Sequence, residues 1–200
     1  MTVLASPVRE RKKRATWRLI HATALRLMSE RGFDAVSVDD IVIAAGISRR
    51  TFFNYFAGKE AVVFDPDPDE PALWCDLMAA RPAGEPLWLS LRDLLIAYTG
   101  AVAERLTVQR RVREASPELA TCSRDLADRY WVAVREWAAA RHPGPGIRLD
   151  LTVNAARTVL NTACPRWDAD SGVDGLHDLI REGFALLGAG LNDQPERKIQ

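Results

Sequence analysis

Along almost the whole chain apolar residues recur at steps of three and four, and alternating apolar and polar runs are nearly absent. That period predicts helices rather than strands. Trp17, Ile20, Ala24, Leu27 and Met28 make one such stripe, which Gly32 should end, with Phe33 folding back on it. Ser37-Val38-Asp39-Asp40 has the form of a capping box, a hydroxyl followed three residues later by a carboxylate, and opens a short helix over 38–45. Gly46 stops it. Ser48 then caps a third helix over 48–56, Ala57-Gly58 breaks it, and a fourth begins at Lys59. Alternating proline and acid in Asp65-Pro66-Asp67-Pro68-Asp69-Glu70-Pro71 cannot sustain a helix and predicts a linker.

Beyond the linker the pattern predicts helices over 72–81 and 87–106 and a short piece over 110–114. Ser116-Pro117-Glu118 caps a further helix that runs to about 140 and stops at His142-Pro143-Gly144-Pro145-Gly146. Two more span 149–164 and 173–190, and the polar tail after 191 should fray. The last helix carries Val173, Leu176, Ile180, Phe184, Leu187 and Leu191 on one face, and the one before it carries Val153, Ala156, Leu160 and Ala163. The expectation is an all-α protein of about nine helices, with a small N-terminal domain over 1–64 and a larger helical one over 65–200.

Composition changes this picture little; charge changes it more. With 200 residues, 48% of them hydrophobic and 27% charged, the chain has the balance of a globular protein. Its net charge is zero, yet residues 1–60 carry 11 Lys and Arg against 6 Asp and Glu, while the rest carries 16 against 21. A basic front and an acidic body suggest two tasks. No apolar run is long enough to span a membrane, and the basic N-terminus leads into an amphipathic stretch, so a cytoplasmic protein is expected. Cys75, Cys122 and Cys164 fit no metal or disulfide spacing and read as core filling.

The sharpest chemistry lies over 38–56. Two short helices around Ala45-Gly46-Ile47 make a helix-turn-helix, with Ile41, Ala45, Ile47 and Phe52 placed to pack the pair together. Arg49, Arg50, Thr51, Phe53, Asn54 and Tyr55 remain for the outer face. Arginine can give guanine two parallel hydrogen bonds, asparagine can match adenine, and threonine or an aromatic can touch a thymine methyl. Lys59 adds positive charge at the start of the next helix, where a phosphate would sit. The plainer reading makes the arginines a solvated pair and the aromatics core; the capped helix, glycine turn and polar-aromatic second helix together favour DNA.

These residues carry a resemblance. Arg31-Gly32-Phe33, Ser37-Val38-Asp39-Asp40-Ile41, Ala45-Gly46-Ile47-Ser48, Thr51-Phe52-Phe53-Asn54-Tyr55-Phe56 and Lys59-Glu60 resemble the DNA-binding domain of the TetR family of bacterial transcriptional repressors, over about a quarter of the chain. The resemblance implies base or nearby phosphate contacts by Arg49, Arg50 and Thr51, backbone contacts by Phe53, Tyr55 and Lys59, and Ser37 near a phosphate, with Ser48 and Asn54 in the same surface. Phe53 stands where the family usually has tyrosine, which removes a hydroxyl bond to phosphate that Tyr55 would supply instead. Val42 replaces a usual alanine. The family binds double-stranded DNA as a homodimer on a palindromic operator, and a basic arm over 9–14 would add phosphate or minor-groove contacts.

For the body the resemblance implies a helical ligand-binding and dimerisation domain. Its last two helices would pair with their mates across a two-fold axis, through Val153, Ala156, Leu160 and Ala163 on one and Val173, Leu176, Ile180, Phe184 and Leu187 on the other; the plainer reading makes both stripes intramolecular core. Trp74, Trp88, Tyr98, Arg113, Tyr130 and Trp131 are candidates to line a small-molecule site, among further aromatics and arginines (Trp137, Arg92, Arg110, Arg111, Arg129) that equally suit a core. Residues 50–56, 81–87 and 116–119 look like a TetR subgroup associated with acyl-CoA-like effectors. No cofactor, metal site or catalytic group is expected: His21, His142 and His177 are isolated, and no hydrolase, nucleotide-binding or zinc-protease motif occurs. An enzyme is the contrasting reading, and a regulator that answers to a protein partner is another.

Overall fold

A computed structural model of the chain describes residues 7–115, 124–142 and 146–190. Within them are ten α-helices and no strand: α1 Pro7–Arg31, α2 Val38–Ala45, α3 Arg49–Phe53, α4 Lys59–Phe64, α5 Glu70–Ala79, α6 Leu87–Ala101, α7 Ala103–Ala115, α8 Arg124–Arg141, α9 Gly146–Arg166 and α10 Gly172–Ala189. A 3₁₀ turn, Ala169–Ser171, joins the last two. The expected cap at Ser116-Pro117-Glu118, Cys122, the Pro143-Gly144-Pro145 turn, the Arg129 side chain and Leu191 with the tail beyond it lie outside the described residues.

Several boundaries differ from the sequence expectation. The basic residues 9–14 are the opening turns of α1, not an arm; Arg, Lys and Glu are good helix formers, so this charged stretch continues the helical pattern behind it. The third helix is shorter than its pattern, closing at Phe53 with Asn54 as its cap. Glu70 and Pro71, read as linker, open α5, where a proline in the first turn forfeits no helical hydrogen bond. The long helix expected over 87–106 breaks at Val102 into α6 and α7. Just before the break the Thr99 hydroxyl donates to the carbonyls of Leu95 at 2.8 Å and Ile96 at 3.1 Å, a competition that bends helices, and Gly100 adds a weak helix former.

The break matters because packing divides the chain there. Residues 1–72 with 102–126 form one compact unit, and 73–101 with 127–200 the other. The cut expected after residue 64 therefore becomes a discontinuous division in which α7 returns to the N-terminal helices.

In the first unit the α1 stripe is buried as its spacing predicts: Trp17, Ile20, Ala24, Leu27 and Met28 pack with Val36, Ile41, Phe52, Phe56 and Val62 to Phe64. From α7, Val108 and Val112 complete this core, and the Gln109 amide donates to the Val63 carbonyl at 2.8 Å. Arg105 makes a bidentate pair with Glu70 at 2.6 and 3.0 Å, both side chains buried. Two exposed arginines of α1, Arg14 and Arg18, reach Asp69.

The second unit is built on α6, α9 and α10. Leu91, Leu94 and Leu95 of α6 are fully buried, as are Ala156 of α9 and Leu176 and Ile180 of α10. Gly183 lets α10 lie close against α9: a Cβ there would come within 2.7 Å of Val159 Cγ1. The two stripes assigned to a partner subunit thus lie against each other and α6 inside one chain. Val153, Ala163 and Phe184 are buried with them, and Leu160, Val173 and Leu187 are half-buried. The fully buried positions thus serve as core within one chain, and Leu160, Val173 and Leu187 keep part of their apolar surface outward. Cys75, expected in the core, is exposed on α5, and Cys164 is half-buried.

Candidate nucleic-acid interface

Local chemistry fixes the frame of α2 and α3. Ser37 caps α2: its hydroxyl accepts the Asp40 N–H at 3.1 Å, and its own N–H donates to the Asp40 carboxylate at 2.9 Å. The hydroxyl also donates to that carboxylate. Those bonds, the hydroxyl's foremost, hold the Asp40 carboxyl below its ordinary range. Ser37, expected near a phosphate, has both its donors committed to the cap. Gly46 ends α2 with φ +64° and ψ +34°, a left-handed geometry that disfavours any side chain, and the Ile47 N–H closes the turn on the Val42 carbonyl at 3.0 Å. Ser48 then caps α3, accepting the Thr51 N–H at 3.0 Å and sharing a hydroxyl hydrogen bond of 2.8 Å with Thr51.

This frame sorts the side chains of α3. Phe52 and Phe56 are buried, and the Phe56 ring lies 5.4 Å from that of Trp17 and 5.8 Å from that of Phe52. Arg49, Arg50, Phe53 and Asn54 are exposed together, Ser48 beside them and Thr51 half-buried. Arg50 and Asn54 engage no side chain among the described residues, so their donors are free. Arg49 differs, for its Nη1 donates to Asp39 Oδ2 at 3.0 Å. Phe53 is 49% exposed and lies edge-on to Phe52 at 5.3 Å. Tyr55, expected outside, is half-buried against the core.

Lys59 is also used differently. Its ammonium donates to the carbonyls of Phe33 at 3.0 Å and Val36 at 3.3 Å and sits 4.1 Å from the centre of the Phe33 ring. The lysine ties the start of α4 to the loop before α2, with two of its three donors turned into the fold. Sequence spacing missed the role of Asp39, which sits on α2 and meets Arg49 only once α3 lies beside it.

The effector candidates do not form one group. Trp74, Tyr98 and Tyr130 do: Trp74 stacks on Tyr98 at 4.3 Å and on Tyr130 at 5.7 Å. The Trp74 ring is buried, and its indole N–H has no hydrogen-bond partner among the described residues. Trp88 lies apart from that stack, packed on Phe184 at 4.3 Å with its N–H on the Phe184 carbonyl. It borders an open groove of about 340 Å³ with Arg92 and Arg181. Trp131 is buried. Arg113 belongs to the first unit, its guanidinium 5.1 Å from the Phe64 ring. Among the described residues no group of His, Cys, Asp and Glu could hold a metal, and no helix is long and apolar enough to cross a membrane.

Comparison with known proteins agrees with the helix-turn-helix geometry. The family model described as "Bacterial regulatory proteins, tetR family" matches residues 20–65. In fold the chain is similar to the fatty acid degradation regulator FadR of Bacillus halodurans, with a TM-score of 0.61 and 20% identity, over 88% of this chain and 96% of that one. It is similar also to FadR of Thermus thermophilus, a TetR-family repressor solved with lauroyl-CoA, with a TM-score of 0.54 and 22% identity over 92% and 99% of the two chains. In sequence it is 30% identical over 188 residues to the "Putative mycofactocin biosynthesis transcriptional regulator MftR" of Mycobacterium tuberculosis, which covers 91% of this chain and 94% of that protein. A likeness of that extent reaches far past the capped helices into both units, and it makes the chain a member of the TetR family of DNA-binding transcriptional regulators, not an enzyme.

Proposed function

We propose that the protein is a homodimeric repressor that binds a palindromic operator and leaves it when a small molecule binds the second unit. The single observation that carries the DNA side is the sorting of α3: Phe52 is buried, while Arg49, Arg50, Phe53 and the capping Ser48 and Asn54 are exposed together. In this reading residues 1–64 and the returning α7 serve DNA, the remainder serves ligand and partner, and the protein works in the cytoplasm on the nucleoid. Arg49, Arg50 and Asn54 read base edges, Thr51 lies beside them, and Phe53 packs on the sugar-phosphate backbone.

The effector reading is supported by the Trp74 stack. A buried indole N–H that finds no partner among the described residues carries a desolvation cost of about 1–3 kcal/mol, which a ligand oxygen would offset. An acyl-CoA-like effector suits this, with a carbonyl for the indole and an apolar chain for the surrounding rings; the lauroyl-CoA bound to the Thermus FadR is in accord. Selection of bound duplexes from a random-sequence pool tests the whole. A two-fold symmetric motif, from which lauroyl-CoA releases the protein, is the expected result. Recovery of no motif would contradict the operator, and a motif unaffected by acyl-CoA would contradict the effector alone.

A further inference from the structure

We propose that Asp39 is a positioning residue that aims Arg49 at a guanine in the operator. The inference rests on the DNA-binding reading of α3 and adds the base recognised and the residue that sets it up. Arg49 reaches back from the first turn of α3 to the first turn of α2, where Asp39 Oδ2 accepts its Nη1 at 3.0 Å. The same guanidinium lies 6.0 Å from the centre of the Phe53 ring, one turn along α3. Arg50 has neither restraint. Two neighbouring arginines on one exposed surface are therefore held in different ways.

The chemistry of the pair gives this difference a purpose. A guanidinium offers five donors in a rigid plane. With Nη1 on the carboxylate, the Nη2 and Nε edge keeps two parallel N–H groups, which match O6 and N7 of guanine. An arginine without such a partner is free to divide its donors between base edges and any phosphate within reach, and the phosphate contact carries no sequence information. Asp39 removes that freedom. Its own negative charge also repels the duplex, so it weakens binding to every sequence and weakens it most where no guanine repays Arg49. Discrimination gained by such a repulsive element is a general device. Fold stability does not account for the pair, since both side chains are more than half exposed and ion pairs of that kind add little.

Motif selection with the full-length chain and its D39N, R49Q, R49K and D39N/R49Q variants tests the proposal, with helicity checked by circular dichroism. The Ser37–Asp40 cap is untouched in all of them. The expected wild-type motif contains one G·C position that D39N flattens by about tenfold, with the other positions unchanged. D39N should also bind bulk random-sequence DNA more tightly and steepen the dependence of log K on log salt by about one. R49K should lose the same position while keeping the wild-type salt slope, and D39N should have no further effect on that position in the R49Q background. Preferences left intact in D39N, or weakened equally at every position, would overturn the proposal. So would a D39N effect of the same size without Arg49, which would make Asp39 act on DNA directly. A wild-type protein with no sequence preference would remove the DNA reading itself, a result distinct from all of these.

Discussion

Arg50 and Lys59 are both cations of the DNA-binding unit, and their surroundings predict opposite consequences when they are replaced. Arg50 is exposed with its donors free, so Arg50→Ala should leave folding unchanged. It should lower affinity for the selected duplex by about 1–3 kcal/mol at particular base pairs; competition binding against single-base variants measures this, and equal loss on all sequences would reassign Arg50 to phosphate. Lys59 donates to the Phe33 and Val36 carbonyls. Lys59→Met should therefore destabilise the fold by about 1–3 kcal/mol in urea titration, because two part-buried acceptors lose a charged donor. Its effect on the salt slope of DNA binding should be small. A slope lowered by about one with unchanged stability would restore the phosphate role that the sequence suggests. The difference between the residues lies in where the backbone folds beside each, which residue type alone does not carry.

At the scale of elements, α1, α5 and α7 share a buried polar cluster whose protonation can be followed. His21 stacks on Trp17 at 4.6 Å, and burial, aided by the charge of Arg105, lowers its pKa from 6.5 to about 4, against the opposing pull of Asp67 and Glu70. The imidazole is therefore neutral in the folded state, while the unfolded chain takes up a proton below 6.5. Stability is complete above that value and falls as pH drops from 6.5 toward 4, by about 3 kcal/mol in all. His21→Phe, which keeps the stack, should remove this slope between pH 6.5 and 4 in denaturation midpoints; an unchanged slope would place its origin elsewhere. None of this cluster was legible in the sequence, because Arg105 lies inside what reads as one continuous helix. The apolar period runs on through Thr99 and Gly100, and only the packing of Val108 and Val112 against the N-terminal core separates α7 from α6. Caps and turns were legible for the opposite reason. Ser37 with Asp40, Gly46, and Ser48 with Thr51 act within three residues of themselves, so their chemistry is written locally. The charged opening of α1 and the short α3 fall between these cases, since helix propensity continues past the point where neighbouring elements allow a helix to begin or end.

For the whole molecule, the proposed dimer turns on which apolar surface would meet a second copy. A stripe spaced by three and four is equally suited to bury against the same chain or against a partner, so sequence leaves the choice open. Here Leu176 and Ile180 are fully buried within one chain, whereas Ile147 and Leu151 of α9 and Leu186 of α10 are each more than half exposed. The exposed set lies toward the end of the α9–α10 hairpin away from its 3₁₀ turn, and it offers apolar area that a homodimer would cover. Two substitutions of equal chemistry then have different outcomes. Leu176→Arg forces a charge into a filled core and should unfold the second unit, at a cost of several kcal/mol; thermal unfolding monitored by circular dichroism reads that loss. Leu151→Arg sets the same charge on an exposed surface, so helicity and melting of the isolated chain should hold while light scattering shows a monomer. Operator affinity should fall with dimerisation in Leu151→Arg, because two half-sites bound by separate monomers lose the effective concentration that a linked pair provides. A dimer that survives Leu151→Arg and the matching Leu186→Arg would mean that the partner face lies elsewhere on the second unit.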